Sequence, residues 1–193
     1  NQKALQGLTS IKSLIKNHAV SCDNDINCNI QNFVSQYKQN NFQNVLIIGK
    51  KLLETNNDPN ASLINLLMGI SLKSLHRFDI ALPFYNNAVN LRNNYFDAHF
   101  NRGIFLQTIK KHDLAINDFK IACKINSTNF ESFLFMADSY LEINQYVDAE
   151  KNYKISLSLN SNYINTYNNL GSAFKLQNKY DEARNIMEKG LEI

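Results

Sequence analysis

A chain of 193 residues with a hydrophobic fraction of 44% has enough apolar material for a continuous core. Its net charge is +3, with Lys and Arg scattered rather than gathered on one face, so the charge argues against a nucleic-acid partner. No run reaches the roughly 18 apolar residues of a membrane span, and three cysteines, an odd number, argue against a disulfide framework.

In chain order, residues 3–19 read as an amphipathic helix, since Leu5, Leu8, Ile11 and Ile15 make one apolar stripe. Such a helix would cap the segments that follow. Residues 21–29 are polar and read as a loop, with Asp23-Asn24-Asp25 lacking the Gly and Glu of a calcium loop. Cys22 and Cys28 make a pair only in an exported protein, whereas a cytoplasmic setting is favoured. Zinc would need two further ligands that nothing supplies. Ile30, Phe33, Val34 and Tyr37 form the next helical face, followed by a turn at 39–41 and a second helix over 45–53. That turn reads one residue shorter than the later ones. Pro59 marks a break between helices.

From Ser62 a regular step sets in. Ala81, Ala115, Ala149 and Ala183 each stand 34 residues from the next, as do Gly69, Gly103, Ala137 and Gly171. Val45 precedes Ala81 by 36, the surplus falling around 56–60. The pattern predicts helix pairs at 62–75 with 79–92, 96–109 with 113–126, 130–143 with 147–160, and 164–177 with 181–193. Asp79, Asp113 and Asp181 stand where a side chain caps the second helix, and Thr128 with Glu131 has the form of a capping box. Pro83 predicts a local bend, or a helix start nearer Ile80. The small residues predict close crossings of paired helices, with Tyr85, Phe119, Tyr140, Tyr153 and Phe174 filling the space around them.

Tyr167, Leu170-Gly171, Phe174, Tyr180 and Ala183 resemble the tetratricopeptide repeat, and Met68-Gly69, Leu72, Phe78, Ala81, Tyr85 and Ala88 follow the same pattern. Arg102 departs from it, standing where Leu is usual, and Asn93, Ser127 and Ser161 replace the closing Pro. The resemblance is strong over 62–193 and weak over 28–61. It implies an all-α fold, a right-handed α-solenoid of about five helix-turn-helix units (28–61, 62–95, 96–129, 130–163 and 164–193) behind an N-terminal helix and loop at 1–27. It also implies that the first helices line a concave groove for a partner peptide or helix. The expected lining is Leu66, Leu67 and Ile70, then Phe100, Asn101 and Ile104, then Leu134, Phe135 and Asp138, and last Asn168 and Asn169.

Within that groove, Leu66, Ile70, Asp97 and Glu131 occupy the places where some family members carry a basic clamp for acidic C-terminal tails, so no such tail is expected to bind. Asn101 and Asn169 fit the asparagine ladder of repeat regions attached to glycosyltransferases, but Leu67 and Phe135 interrupt it. The apolar run of Leu66, Leu67, Ile70, Phe100, Ile104, Leu134 and Phe135 predicts an interaction surface.

No His, Cys and acid constellation converges by spacing and no phosphate loop is present, so neither catalysis nor a cofactor is expected. Leu191 and Ile193 would face an absent neighbour, which leads to the expectation of a longer chain. Two functions follow: a protein-binding scaffold, or the substrate-docking part of a larger enzyme such as a glycosyltransferase or sulfotransferase.

Overall fold

The structure, a computed structural model, describes residues 25–54 and 59–193. The helix expected at 3–19 and the pairing of Cys22 with Cys28 lie outside the described residues. Every regular element among the described residues is a helix. The hairpins are α1 (Asp25–Lys38) with α2 (Phe42–Leu53), α3 (Ala61–Ser74) with α4 (Phe78–Leu91), α5 (Phe96–Thr108) with α6 (His112–Ile125), α7 (Phe130–Glu142) with α8 (Tyr146–Leu159), and α9 (Ile164–Leu176) with α10 (Tyr180–Leu191). Two compact units are distinguished, one ending at Asn101 and one beginning at Arg102. In the first, Phe33, Val34, Val45, Leu52, Ile64, Leu67 and Met68 form a common core. In the second, Phe105, Phe119, Tyr153 and Leu170 are fully buried.

All five hairpins turn in the same way. Asn40, His76, Lys110, Asn144 and Asn178 carry φ of 58, 57, 60, 61 and 60°. At the end of α3, His76 N–H donates to the Lys73 carbonyl at 3.0 Å and Arg77 N–H to the Leu72 carbonyl at 2.9 Å. This pair of bonds satisfies the last carbonyls of a helix and demands a left-handed residue at its end. Asn accepts that conformation more readily than most side chains, and it fills three of the five places.

Asn40 and His76 are 36 residues apart, and the later left-handed residues follow at steps of 34. The first turn is therefore as long as the others, contrary to expectation, and the surplus falls between α2 and α3. The helix also begins at Asp25, inside the stretch expected to be a loop. Asp and Asn disfavour a helix by under about 1 kcal/mol each relative to Ala, which a packed hairpin overrides.

The capping expectations are corrected. Asp79, Asp113 and Asp181 lie in the first turns of α4, α6 and α10, whose N-caps are Arg77, Lys111 and Lys179 without side-chain bonds. The shared turn dictates the helix start and leaves the carboxylates inside it, near the positive end of the helix dipole. Asn129, not Thr128, caps α7: its Oδ1 accepts from Ser132 N–H at 2.8 Å. The Thr128 hydroxyl donates instead to Asn126 Oδ1 at 2.9 Å. Pro83 lies inside α4, which begins at Phe78 rather than nearer Ile80; having no N–H, it cannot bond the Asp79 carbonyl.

Each hairpin closes on a small residue set against a large one 16 positions away. A Cβ at Gly69 would lie 3.2 Å from the Tyr85 ring, one at Gly103 2.7 Å from Phe119, and one at Gly171 2.6 Å from Met187. Ala137 and Tyr153, both fully buried, keep the same interval. The first hairpin inverts the arrangement. The glycine is Gly49 on α2, the large residue is Phe33 on α1, and a Cβ at Gly49 would lie 2.9 Å from Phe33 Cε2 and 2.7 Å from the sulfur of Met68 on α3. The space between two helices holds one bulky side chain, and either helix can supply it.

Gly49→Leu is expected to overpack this crossing and cost about 1–3 kcal/mol, measured by denaturant unfolding. Adding Phe33→Ala should restore part of the loss, so that the two changes are non-additive. Strict additivity would show that the two positions do not compete for one space.

Candidate functional site

The expected groove residues divide by burial. Leu66 and Leu67 on α3 are 1% and 0% exposed, and Leu134 and Phe135 on α7 are 3% and 7% exposed. These four belong to the core, so the continuous apolar run read from the sequence is not a surface. The cause is stacking: α3 packs against both α2 and α4, and α7 against both α6 and α8. A helix flanked on two sides buries a stripe wider than a single hairpin pattern predicts.

In the first unit, Ile70, Phe100 and Asn101 remain half-buried. Phe100 stacks on Phe96 with ring centroids 5.4 Å apart. Asn101 Nδ2 donates to the Asp97 carbonyl at 2.8 Å, so one amide proton is spent on its own helix. Asp97, expected on the groove wall, is buried. Burial pushes its carboxyl up to about 6, against partial relief from the Arg92 charge. The same carboxylate adds to the effect of burial on the Tyr37 hydroxyl, which is pushed up to about 12. The Arg92 guanidinium lies over the Tyr95 ring, 5.1 Å from its centroid, and the buried Tyr95 hydroxyl has no hydrogen-bond partner.

In the second unit, Ile104 is half-buried and Asn168 exposed. Asp138 and Asn169 are brought together: Asp138 Oδ1 accepts from Asn169 Nδ2 at 2.9 Å and from the Tyr153 hydroxyl at 2.7 Å. Sequence reasoning missed Tyr153 as a polar partner and missed Gln107 altogether. Gln107 Nε2 donates to the Phe135 carbonyl at 2.7 Å and to Ser139 Oγ at 2.8 Å. For Tyr153 the signal was its interval of 15 residues from Asp138, within one hairpin; Gln107 reaches across 28 and 32 residues to the next hairpin, which no motif marks. A like interval, 16 residues within one hairpin, also explains Arg102, whose Nε and Nη2 each donate to Asp118 at 2.7 Å. A charge where Leu is usual arrives with its own counter-ion.

Glu150 is the other charged centre. It accepts from Lys154 at 2.6 Å, from Lys179 at 2.7 Å and from Gln177 at 3.0 Å. Burial opposes its charge, but these hydrogen bonds outweigh it and hold the carboxyl at about 2. The His112 ring lies 4.0 Å from Glu142 at the start of α6, a structural place. The half-buried Cys123 thiol is pushed up to about 11 by burial, the opposite of an activated nucleophile. Among the described residues, no group of three or more His, Cys, Asp or Glu could hold a metal, and no helix is long and apolar enough to cross a membrane. A hollow of about 480 Å³, which sequence reading did not anticipate, lies in the first unit between Leu46, Leu53, Met68, Leu72, Ile80 and Phe84.

Comparison with known proteins agrees with this geometry. The model of the tetratricopeptide repeat family matches residues 164–193. No curated protein matches the sequence. Among solved structures, a crystal structure of MamA is similar at 21% identity, covering 82% of this chain and 91% of that one, with a TM-score of 0.76. MamA from residue 41 to its end, from Desulfovibrio magneticus RS-1, is 17% identical, with 89% of this chain and 96% of that one covered and a TM-score of 0.80. A double mutant of MamA RS-1 has the same identity and coverage and a TM-score of 0.81. At these identities the likeness shows the fold, a helical-repeat solenoid.

Two outcomes are expected. Asp138→Ala strands the Tyr153 hydroxyl and should cost about 1–3 kcal/mol; an unchanged denaturation midpoint would show that the hydroxyl finds another partner. For Glu150, a folded-state pKa below the ordinary 4.5 stabilises the fold fully above that value, and the contribution fades as pH falls toward 2. Glu150→Gln should therefore lower stability at pH 7 and matter progressively less in denaturant melts between pH 4.5 and pH 2.

Proposed function

Because residues 164–193 are a tetratricopeptide repeat and the hairpins before them share its fold, we propose that this chain is a scaffold that binds a partner polypeptide along the accessible sides of its first helices. One observation carries the reading. Ile70 and Phe100 in the first unit, and Ile104 in the second, keep solvent access on first helices where similarly apolar neighbours are consumed by the core. Apolar side chains left accessible beside amides that can hold a backbone suit an extended peptide or an amphipathic helix. Asn101, Asn168 and Asn169 supply such amides.

The contact surface is thus smaller and more polar than the sequence suggests. In the first unit it comprises Ile70, Phe100 and Asn101, and in the second Ile104, Asn168 and the free capacity of Asn169, without Leu66, Leu67, Leu134 or Phe135. Asp138 serves it indirectly by holding Asn169. The five repeats, with boundaries at 28–61, 62–95, 96–129, 130–163 and 164–193, act as the units that present this surface. A net charge of only +3 favours protein over nucleic acid as the partner.

Ile70→Glu puts a charge on the accessible surface and Ile104→Ala trims it. Each is expected to weaken binding of peptides selected from a degenerate library at least tenfold, read by fluorescence anisotropy, with melting temperatures held as the control. Unchanged affinity in both would place the contact elsewhere.

A further inference from the structure

Tyr95 and Asp97 are 5% and 7% exposed, at the entry to α5. Buried polar groups in native proteins almost always find hydrogen-bond partners, and exceptions call for a reason. The Tyr95 hydroxyl has none. The Arg92 charge is felt at Asp97, but the guanidinium is seated over the Tyr95 ring at 5.1 Å. Among the described residues no ion pair joins it to the carboxylate. The first unit therefore carries a buried hydroxyl without a hydrogen-bond partner and, two residues on, a buried carboxylate that no ion pair neutralises among the described residues.

The repeat does not need a carboxylate there. At the same step, the place of Asp97 is taken by Leu63 in the preceding hairpin, by the buried Glu131 in the following one and by Asn165 in the last. An apolar or a neutral side chain is thus compatible with the hairpin, while a buried carboxylate that no cation neutralises works against folding. Groups that are costly to the fold and unnecessary to it concentrate at functional sites.

We propose that Asp97 and Tyr95 form a subsite that receives the cationic side chain, lysine or arginine, of the partner polypeptide. This rests on the reading that the first helices bind such a partner. An ammonium carries three donors and no acceptor, and a guanidinium five, so either has donors enough for both the carboxylate and the Tyr95 hydroxyl. Phe100, three positions after Asp97 and therefore on the same side of α5, is half-buried and offers an apolar wall to the methylene stem of a lysine. A metal ion is the poorer fit, since no ligand cluster accompanies Asp97 among the described residues. Burial raises the carboxyl toward neutrality, so an arriving positive charge would restore its ionised form.

The test uses the purified chain and a positional-scanning library of acetylated, amidated octapeptides. Pools with Lys or Arg at one position should bind at least tenfold tighter than pools with Glu or norleucine there. Asp97→Asn should abolish that preference. Tyr95→Phe should reduce it several-fold while melting stays the same or rises, because an unsatisfied hydroxyl has gone. A preference for basic residues that survives Asp97→Asn overturns the subsite. Binding with no basic preference also overturns it but leaves the groove reading standing, and failure of every pool to bind overturns both. As a check needing no variant, the pH titration of the Asp97 carboxyl carbon followed by NMR should move to lower pH when a bound lysine peptide is added. A titration that stays in place rejects the contact.

Discussion

The space between the two helices of a hairpin admits one large side chain, and this limit governs the structure. Gly69, Gly103 and Gly171 would each bring a Cβ to within 3.2 Å or less of the ring or thioether opposite. Contacts that close leave no slack for an added methyl unless the neighbour moves. The helices can meet at this distance because every hairpin sets small against large at the same interval. The inversion at Phe33 and Gly49 shows that the constraint acts on the pair, with no preference for which helix carries the bulk.

Close crossing has a consequence for the binding surface. Once hairpins pack side by side, α3, α7 and α9 are each covered by their own partner and by the preceding hairpin, so apolar side chains such as Leu66, Leu67, Leu134 and Phe135 are consumed. Leu67 joins the core with Phe33, Val45 and Met68, and the Phe135 ring lies 6.1 Å from Phe119. The remaining accessible surface is a mixture of half-buried apolar residues and amides. Several of those polar groups are already committed to holding hairpins together, as Asp138 is to Tyr153 and Asn169. Tyr95 and Asp97 are not committed in this way. Where Arg102 arrives with Asp118 and Glu150 with two lysines, the Tyr95 hydroxyl has no hydrogen-bond partner and no ion pair reaches Asp97 among the described residues.

Helix content, the step of 34 residues from Ser62 and the kinship with the tetratricopeptide repeat were legible in the residues alone. Small residues at a constant interval have no other economical meaning, and helical periodicity is a local property that survives without knowledge of neighbours. Helix starts were less legible. Asp79, Asp113 and Asp181 have the chemistry of caps, yet a turn with a left-handed residue determines where the chain enters the next helix, and it places them inside the first turn, two residues past the cap. The first hairpin read as irregular because its step to the next is 36 residues rather than 34, yet its turn is as long as the others.

Only the tertiary structure decided which apolar residues face water. Leu66, Leu67, Leu134 and Phe135 cannot be told from Ile70, Phe100 and Ile104 by pattern, since all recur on first helices with the same spacing. Burial depends on which neighbouring hairpin leans on which turn, a relation between residues about 30 positions apart that local periodicity does not encode. The same holds for Asp97. Its identity was plain in the chain, but that it would be buried beside a hydroxyl without a partner followed from packing, because desolvation belongs to the assembled fold and not to the residue.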